Sequence, residues 1–179
     1  MSPLVILLRG VNVGGRARLP MAELRAALSD AGLADVRTHL QSGNLLVREP
    51  SDLSIPLAGA VEQVIEDRFG LHVSAVTRTR EEVADVVGRN PFLEPGVSPT
   101  TLHTVFLETD PDSSRLAGLD PDRSPPDRFV VSGREIYIHY PGGSGRSKLS
   151  LDYFERRLGV VGTARNWNTV IKLLELLAT

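Results

Sequence analysis

The residues able to do chemistry in this chain fall into a few polar stretches. In the first, an apolar run from Leu4 to Leu8 stops at Arg9, and Gly10-Val-Asn12-Val-Gly14-Gly15 follows, with Arg16 and Arg18 just beyond. A strand that ends in a Gly-rich, Arg-flanked loop before a helix can hold a carboxylate or phosphate through backbone N–H groups and guanidinium donors. The same residues also suit plain turn chemistry, with Gly14 and Gly15 supplying positive φ. The glycine spacing matches neither the dinucleotide fingerprint nor the Walker loop. A second polar stretch, Gln41-Ser42-Gly43-Asn44, reads as the turn of a hairpin, with Asn44 able to serve either the turn or a ligand.

Two further stretches lie toward the other end. Gly142 and Lys148 have the spacing of a P-loop's first glycine and lysine, but Ser147 and Leu149 stand where that motif needs glycine and a hydroxyl. A true Walker loop is excluded. A looser anion site built from Arg146, Lys148 and a following helix end remains, beside the simpler reading of Ser150 as a helix cap. In Thr163-Ala-Arg165-Asn166-Trp167-Asn168, Arg165 and Asn166 are candidate ligand donors beside the single tryptophan. Trp167 itself suits the core, and Asn166 also suits a cap. The four histidines, His39, His72, His103 and His139, show no metal-ligand spacing, so no metal and no cofactor is expected. For proton transfer the sequence offers Lys148 and His139 as catalytic candidates. No nucleophile elbow or Ser-His-Asp pattern is present.

These residues are positioned by a regular order of elements. Pro3–Arg9 reads as a buried strand, and the stretch after Pro20 reads as a helix ending at Gly32. Val36–Gln41 and Leu45–Glu49 read as paired strands, Pro56–Phe69 as a helix and His72–Thr77 as a strand. That is β-α-β-β-α-β. A connecting helix, Glu81–Arg89, and a Pro/Gly loop follow. The order then restarts with strand His103–Glu108, a short helix Ser113–Leu119, strands Phe129–Val131 and Glu135–Tyr140, helix Leu151–Leu158, a short strand Val160–Thr163 and helix Trp167–Leu177. The expected fold is α+β, with two tandem ferredoxin-like halves and an additional C-terminal helix. The expected boundaries are residues 1–78, a connector 79–100, and residues 101–179. In this topology the end of the first strand and the tip of the second-to-third hairpin share one edge of the sheet. Arg9–Gly15 should therefore lie near Gln41–Asn44.

The bulk numbers bound the function class. The chain has 179 residues, 41% hydrophobic and 23% charged, with net charge −2 and pI near 6.1. These values argue against a protein built to coat nucleic acid or anionic membrane. There is no cysteine, which fits a cytoplasmic setting and removes disulfide and thiolate chemistry. No apolar run is long enough for a signal peptide or a membrane span.

Four stretches together, Leu8–Gly15, Gln41–Asn44, Ser147–Leu149 and Thr163–Val170, resemble the family catalogued as domain of unknown function 1697, whose members are mostly bacterial. Family members typically carry isoleucine at the position of Val11 and threonine at that of Ala164. The resemblance implies an α+β fold with two ferredoxin-like halves and carries no activity with it. The leading expectation is binding of an anionic small molecule, phosphorylated or not, by Arg9, Asn12, Gly14, Gly15, Gln41, Ser42 and Asn44, with Lys148, Arg165 and Asn166 at another patch. The alternative is a nucleic-acid or protein interaction module using Phe106, Tyr137 and His139 on the second-half sheet.

Overall fold

The computed structural model describes residues 3–15, 17–48 and 55–179. Arg16 and Glu49, which the sequence placed in the first loop and at a strand end, lie outside the described residues. The chain divides into two compact units, residues 1–84 with 173–179, and residues 85–172. The fold is α+β, with a four-stranded antiparallel sheet in each unit.

In the first unit β1 (Pro3–Leu8), α1 (Met21–Asp30), β2 (Arg37–His39), β3 (Asn44–Arg48), α2 (Leu57–Phe69) and β4 (Ala75–Thr79) follow one another. The strand order is β2-β3-β1-β4. The continuous apolar run of β1 is explained by burial on both faces. Leu4, Ile6 and Leu8 join the core under α1 and α2, with Leu24, Leu28, Val61 and Ile65. Val5 and Leu7, on the other face, are equally buried. The strand expected at His72–Thr77 forms later, at Ala75–Thr79, where the Ala75 N–H first meets the Glu62 carboxylate at 2.7 Å.

α3 (Arg80–Arg89) crosses the division between the units. Its start is a capping box: the Glu82 N–H donates to Thr79 Oγ1 at 3.2 Å, and the Thr79 N–H donates to Glu82 Oε2 at 2.8 Å. The second unit continues with β5 (Leu102–Leu107), α4 (Ser113–Leu116), β6 (Arg128–Ser132), β7 (Glu135–His139), α5 (Leu151–Leu158) and β8 (Gly162–Asn166). α6 (Trp167–Leu177) follows, and its last turns belong to the first unit. The strand order is β6-β7-β5-β8. Val105, Leu107, Ile136, Ile138, Phe154 and Leu158 build the core beneath α5. Ser150 caps α5 as the sequence suggested, accepting from the Tyr153 N–H at 3.2 Å.

The two units repeat not only in element order but in register. The Leu8 N–H donates to Gly43 O at 2.8 Å, and the Leu107 N–H donates to Arg134 O at the same distance. One residue on, the Arg9 N–H meets Ser74 O and the Glu108 N–H meets Val161 O, both at 2.9 Å. Val5 pairs with Arg78 as Thr104 pairs with Arg165. Few side chains repeat along with this register, which is why the sequence carries the duplication only as an order of elements.

Candidate functional site

The first polar loop and the hairpin tip meet, as the topology requires. β1 ends beside β3, with Leu7 opposite Asn44. Gly43 takes φ +80 and packs so tightly that a Cβ there would come within 2.6 Å of Val11 Cγ2 and 2.7 Å of Leu8 Cβ. Only glycine fits both the conformation and the space.

Asn12 governs the loop. It adopts φ 54, left-handed for a residue with a side chain, a conformation asparagine tolerates better than most. Its Oδ1 accepts from the Leu19 N–H at 2.8 Å, while its Nδ2 donates to Leu19 O at 2.8 Å and to Gln41 O at 2.6 Å. The carboxamide imitates a strand partner for Leu19 and ties that segment to the hairpin. Asn12 is therefore a clamp, with its polar atoms committed inside the protein.

The clamp holds open a recess of about 710 Å³ lined by Asn12, Gly15, Arg18, Pro20 and Gln41. Arg18 and Pro20 flank the clamped Leu19 on one wall, and Gln41 forms the other. α1 opens at this wall with Pro20 in the cap position and no side-chain cap, so its first N–H groups are left without a side-chain acceptor. Gly14 and Gly15 both lie at positive φ and are exposed. Among the described residues no hydrogen bond reaches their N–H groups. Arg9 is half-buried at the strand end. Asn44, fully buried, donates to His39 O at 2.8 Å and to Ser42 Oγ at 3.2 Å, so it and Ser42 build the hairpin. The sequence named Arg18 only as flanking charge. Its place in the site follows from the Asn12–Leu19 pairing, which joins residues seven apart and leaves no periodic trace.

The remaining candidates lie in the second unit and serve different ends. The Lys148 ammonium is exposed, and its backbone N–H donates to Ser124 Oγ at 3.1 Å. Ser124 also donates to Asp127 at 2.9 Å, pinning the Gly-rich loop to the Pro/Asp-rich one. Arg165 is 7% exposed, and burial pushes its guanidinium down to about 10. It donates to Thr163 Oγ1 at 2.7 Å and to Ala164 O at 2.8 Å. Arg165 lies opposite Thr104, on the sheet face away from Val105, whereas Leu149 packs with Val105. The sheet thus stands between Arg165 and the segment carrying Lys148, and the two do not form the common cationic patch expected. Asn166 caps α6, accepting from the Asn168 N–H at 3.0 Å and donating to Thr100 O at 3.2 Å.

His139 packs its ring 6.0 Å from that of Phe92, and its Nδ1 is buried without a partner among the described residues. Phe106 and Tyr137 are each 1% exposed, and the Tyr137 hydroxyl donates to Val86 O at 3.0 Å. These rings do not form an open stacking platform. Among the described residues no group of acidic, histidine or cysteine side chains has metal-holding geometry.

A second cleft, about 510 Å³, runs along β2 and β3 to the end of α6. Its Arg37 is committed to the helix end, donating to Leu176 O and Thr179 Oγ1, both at 3.2 Å. Its Arg48 faces Asp35 at 3.9 Å. Among the described residues that line it, the Arg18 recess holds no such counter-charge.

The profile of the protein family of unknown function DUF1697 matches residues 1–137, which include both loops of the recess. The chain belongs to the DUF1697 family. Among solved structures it is similar to the conserved bacterial protein SP0830 from Streptococcus pneumoniae, at 21% identity and a TM-score of 0.74, covering 98% of each chain. That likeness speaks to the fold. No curated protein matches. No helix among the described residues is long and apolar enough to cross a membrane.

Proposed function

We propose that this DUF1697 protein binds an anionic small molecule, of the phosphate or carboxylate class, in the Asn12–Gln41 recess. One observation carries the reading. The Asn12 carboxamide ties the Arg18–Pro20 segment, which leads into the uncapped start of α1, to Gln41, and among the described residues the concavity they line with Gly15 has no carboxylate. Helix N-terminal N–H groups, glycine amides and a guanidinium are the donors that recur at anion sites. In this reading Asn12 and Gly43 shape the site and do not touch the ligand. Lys148, Arg165, Asn166 and His139 take no part.

The halves are read as ferredoxin-like, on the strength of the β-α-β-β-α-β order and the arrangement of the fourth strand beside the first in both sheets. The absence of cysteine supports a reducing, cytoplasmic setting. The test is thermal denaturation with added phosphate, citrate or acetate at constant ionic strength. Stabilisation by an anion that vanishes in Arg18→Ala supports the proposal. Equal shifts in both proteins would mean a general salt effect and reject it.

A further inference from the structure

The recess is far larger than one phosphate or carboxylate group needs. At about 710 Å³ it is an open depression with room for a small organic ligand, and its lining residues other than Asn12 are exposed. The anion donors, Arg18 and Gly15, account for only part of its lining. The rest of the lining and its neighbours have a definite chemistry. Pro20 supplies an apolar wall. Leu40, next to Gln41, and Val13, next to Asn12, are 54% and 60% exposed. They are two of the five large apolar side chains left exposed among the described residues. Leu40 is held in the left-handed region at φ 62, a conformation that costs energy in a residue with a branched side chain.

Gln41 is the remaining polar side chain. Its backbone carbonyl is taken by Asn12 at 2.6 Å, while no hydrogen bond of its side-chain amide occurs among the described residues. That amide offers a donor and an acceptor side by side, the pattern that pairs with N6 and N7 of adenine. A polyhydroxylated sugar phosphate would find little to bond beyond its phosphate. A flat, largely apolar body with one amide-like edge fits better.

Resting on the anion-binding reading of this recess, we infer that its ligand is an adenine nucleoside monophosphate. The phosphate lies toward Arg18 and the Gly15 amide, and the base lies toward Pro20 with its edge on Gln41. No bond is made or broken in this proposal; it concerns recognition alone.

Isothermal titration calorimetry with inorganic phosphate, ribose 5-phosphate, adenosine and AMP tests it on the full chain. AMP is expected to bind at least about tenfold more tightly than ribose 5-phosphate, the effect of one good base-edge contact. Gln41→Ala should bring AMP down to the ribose 5-phosphate level and leave phosphate affinity unchanged. Gln41→Glu, which keeps the shape and removes the donor, should also abolish the preference for AMP over ribose 5-phosphate, while its added negative charge weakens phosphate, ribose 5-phosphate and AMP together. Arg18→Ala should weaken phosphate, ribose 5-phosphate and AMP together. If phosphate binds through Arg18 but AMP binds no more tightly than ribose 5-phosphate, the adenine assignment is wrong while the anion site stands. If AMP is favoured but Gln41→Ala leaves that preference intact, the assignment is likewise overturned. If no anion binds, both readings fall.

Discussion

At the scale of residues, the account turns on what each polar side chain is already doing. Asn12 has three hydrogen bonds inside the protein, so Asn12→Ala leaves Leu19 and Gln41 without it. At roughly 1 kcal/mol for each bond in a partly buried setting, the loss is about 2–3 kcal/mol, measurable by urea denaturation. Glu23, in the first turn of α1, is a negative charge near the uncapped helix start. Glu23→Gln should therefore tighten anion binding by a few-fold at low salt, an effect that titrations at rising ionic strength should erase. The sequence makes Asn12 a candidate ligand residue from its company of glycines. Its role was not legible, because a carboxamide that bonds across seven residues to Leu19 and across twenty-nine to Gln41 depends on the folded loop. Arg165 and Asn166 share that polar character in the sequence. One is buried in β8 and the other caps α6.

At the scale of elements, the loop and hairpin form one unit because Gly43 lets them touch. Gly43→Ala meets two penalties together, a left-handed backbone and contacts of 2.6 and 2.7 Å against Val11 and Leu8. The combined cost is about 3 kcal/mol, and because the moved atoms line the β1 end, anion affinity should fall with stability. Denaturant melts and ligand titrations on the same variant check both. Strand and helix positions were largely readable, since period and caps are local. α6 spans Trp167–Leu177 as its apolar spacing predicts, and Ser150 caps α5. The start of β4 was not readable, because it is set by the Glu62 carboxylate on α2. Convergence of the two loops was readable from topology alone, since strand order fixes which ends share an edge.

At the scale of the whole molecule, the register-matched sheets make a scaffold whose two halves carry different chemistry. Where Arg9 ends β1, Glu108 stands in the second half, and the glycine loop has no counterpart there. The recess is thus a feature of one half. Buried tyrosines give the molecule a defined alkaline limit. Tyr137 and Tyr140 are both raised from 10.0 to about 12, chiefly by burial. Their neutral forms contribute stability that is fully present below pH 10 and lost as pH rises through about 12. Arg165, lowered from 12.5 to about 10 by burial, acts in the opposite direction over the same range. Two tyrosines outweigh one arginine, so stability should fall between pH 10 and 12, with tyrosinate absorbance rising in the same interval. A flat denaturation profile across that range would contradict the burial of these phenols. The central claim, that the Asn12–Gln41 recess is an anion site, is tested most directly by calorimetric titration of inorganic phosphate into the natural protein and into Arg18→Ala, both at low, fixed ionic strength. The account predicts saturable binding to the natural protein, reduced about tenfold or more without the guanidinium. Absence of binding, or binding that Arg18→Ala leaves unchanged, would contradict it.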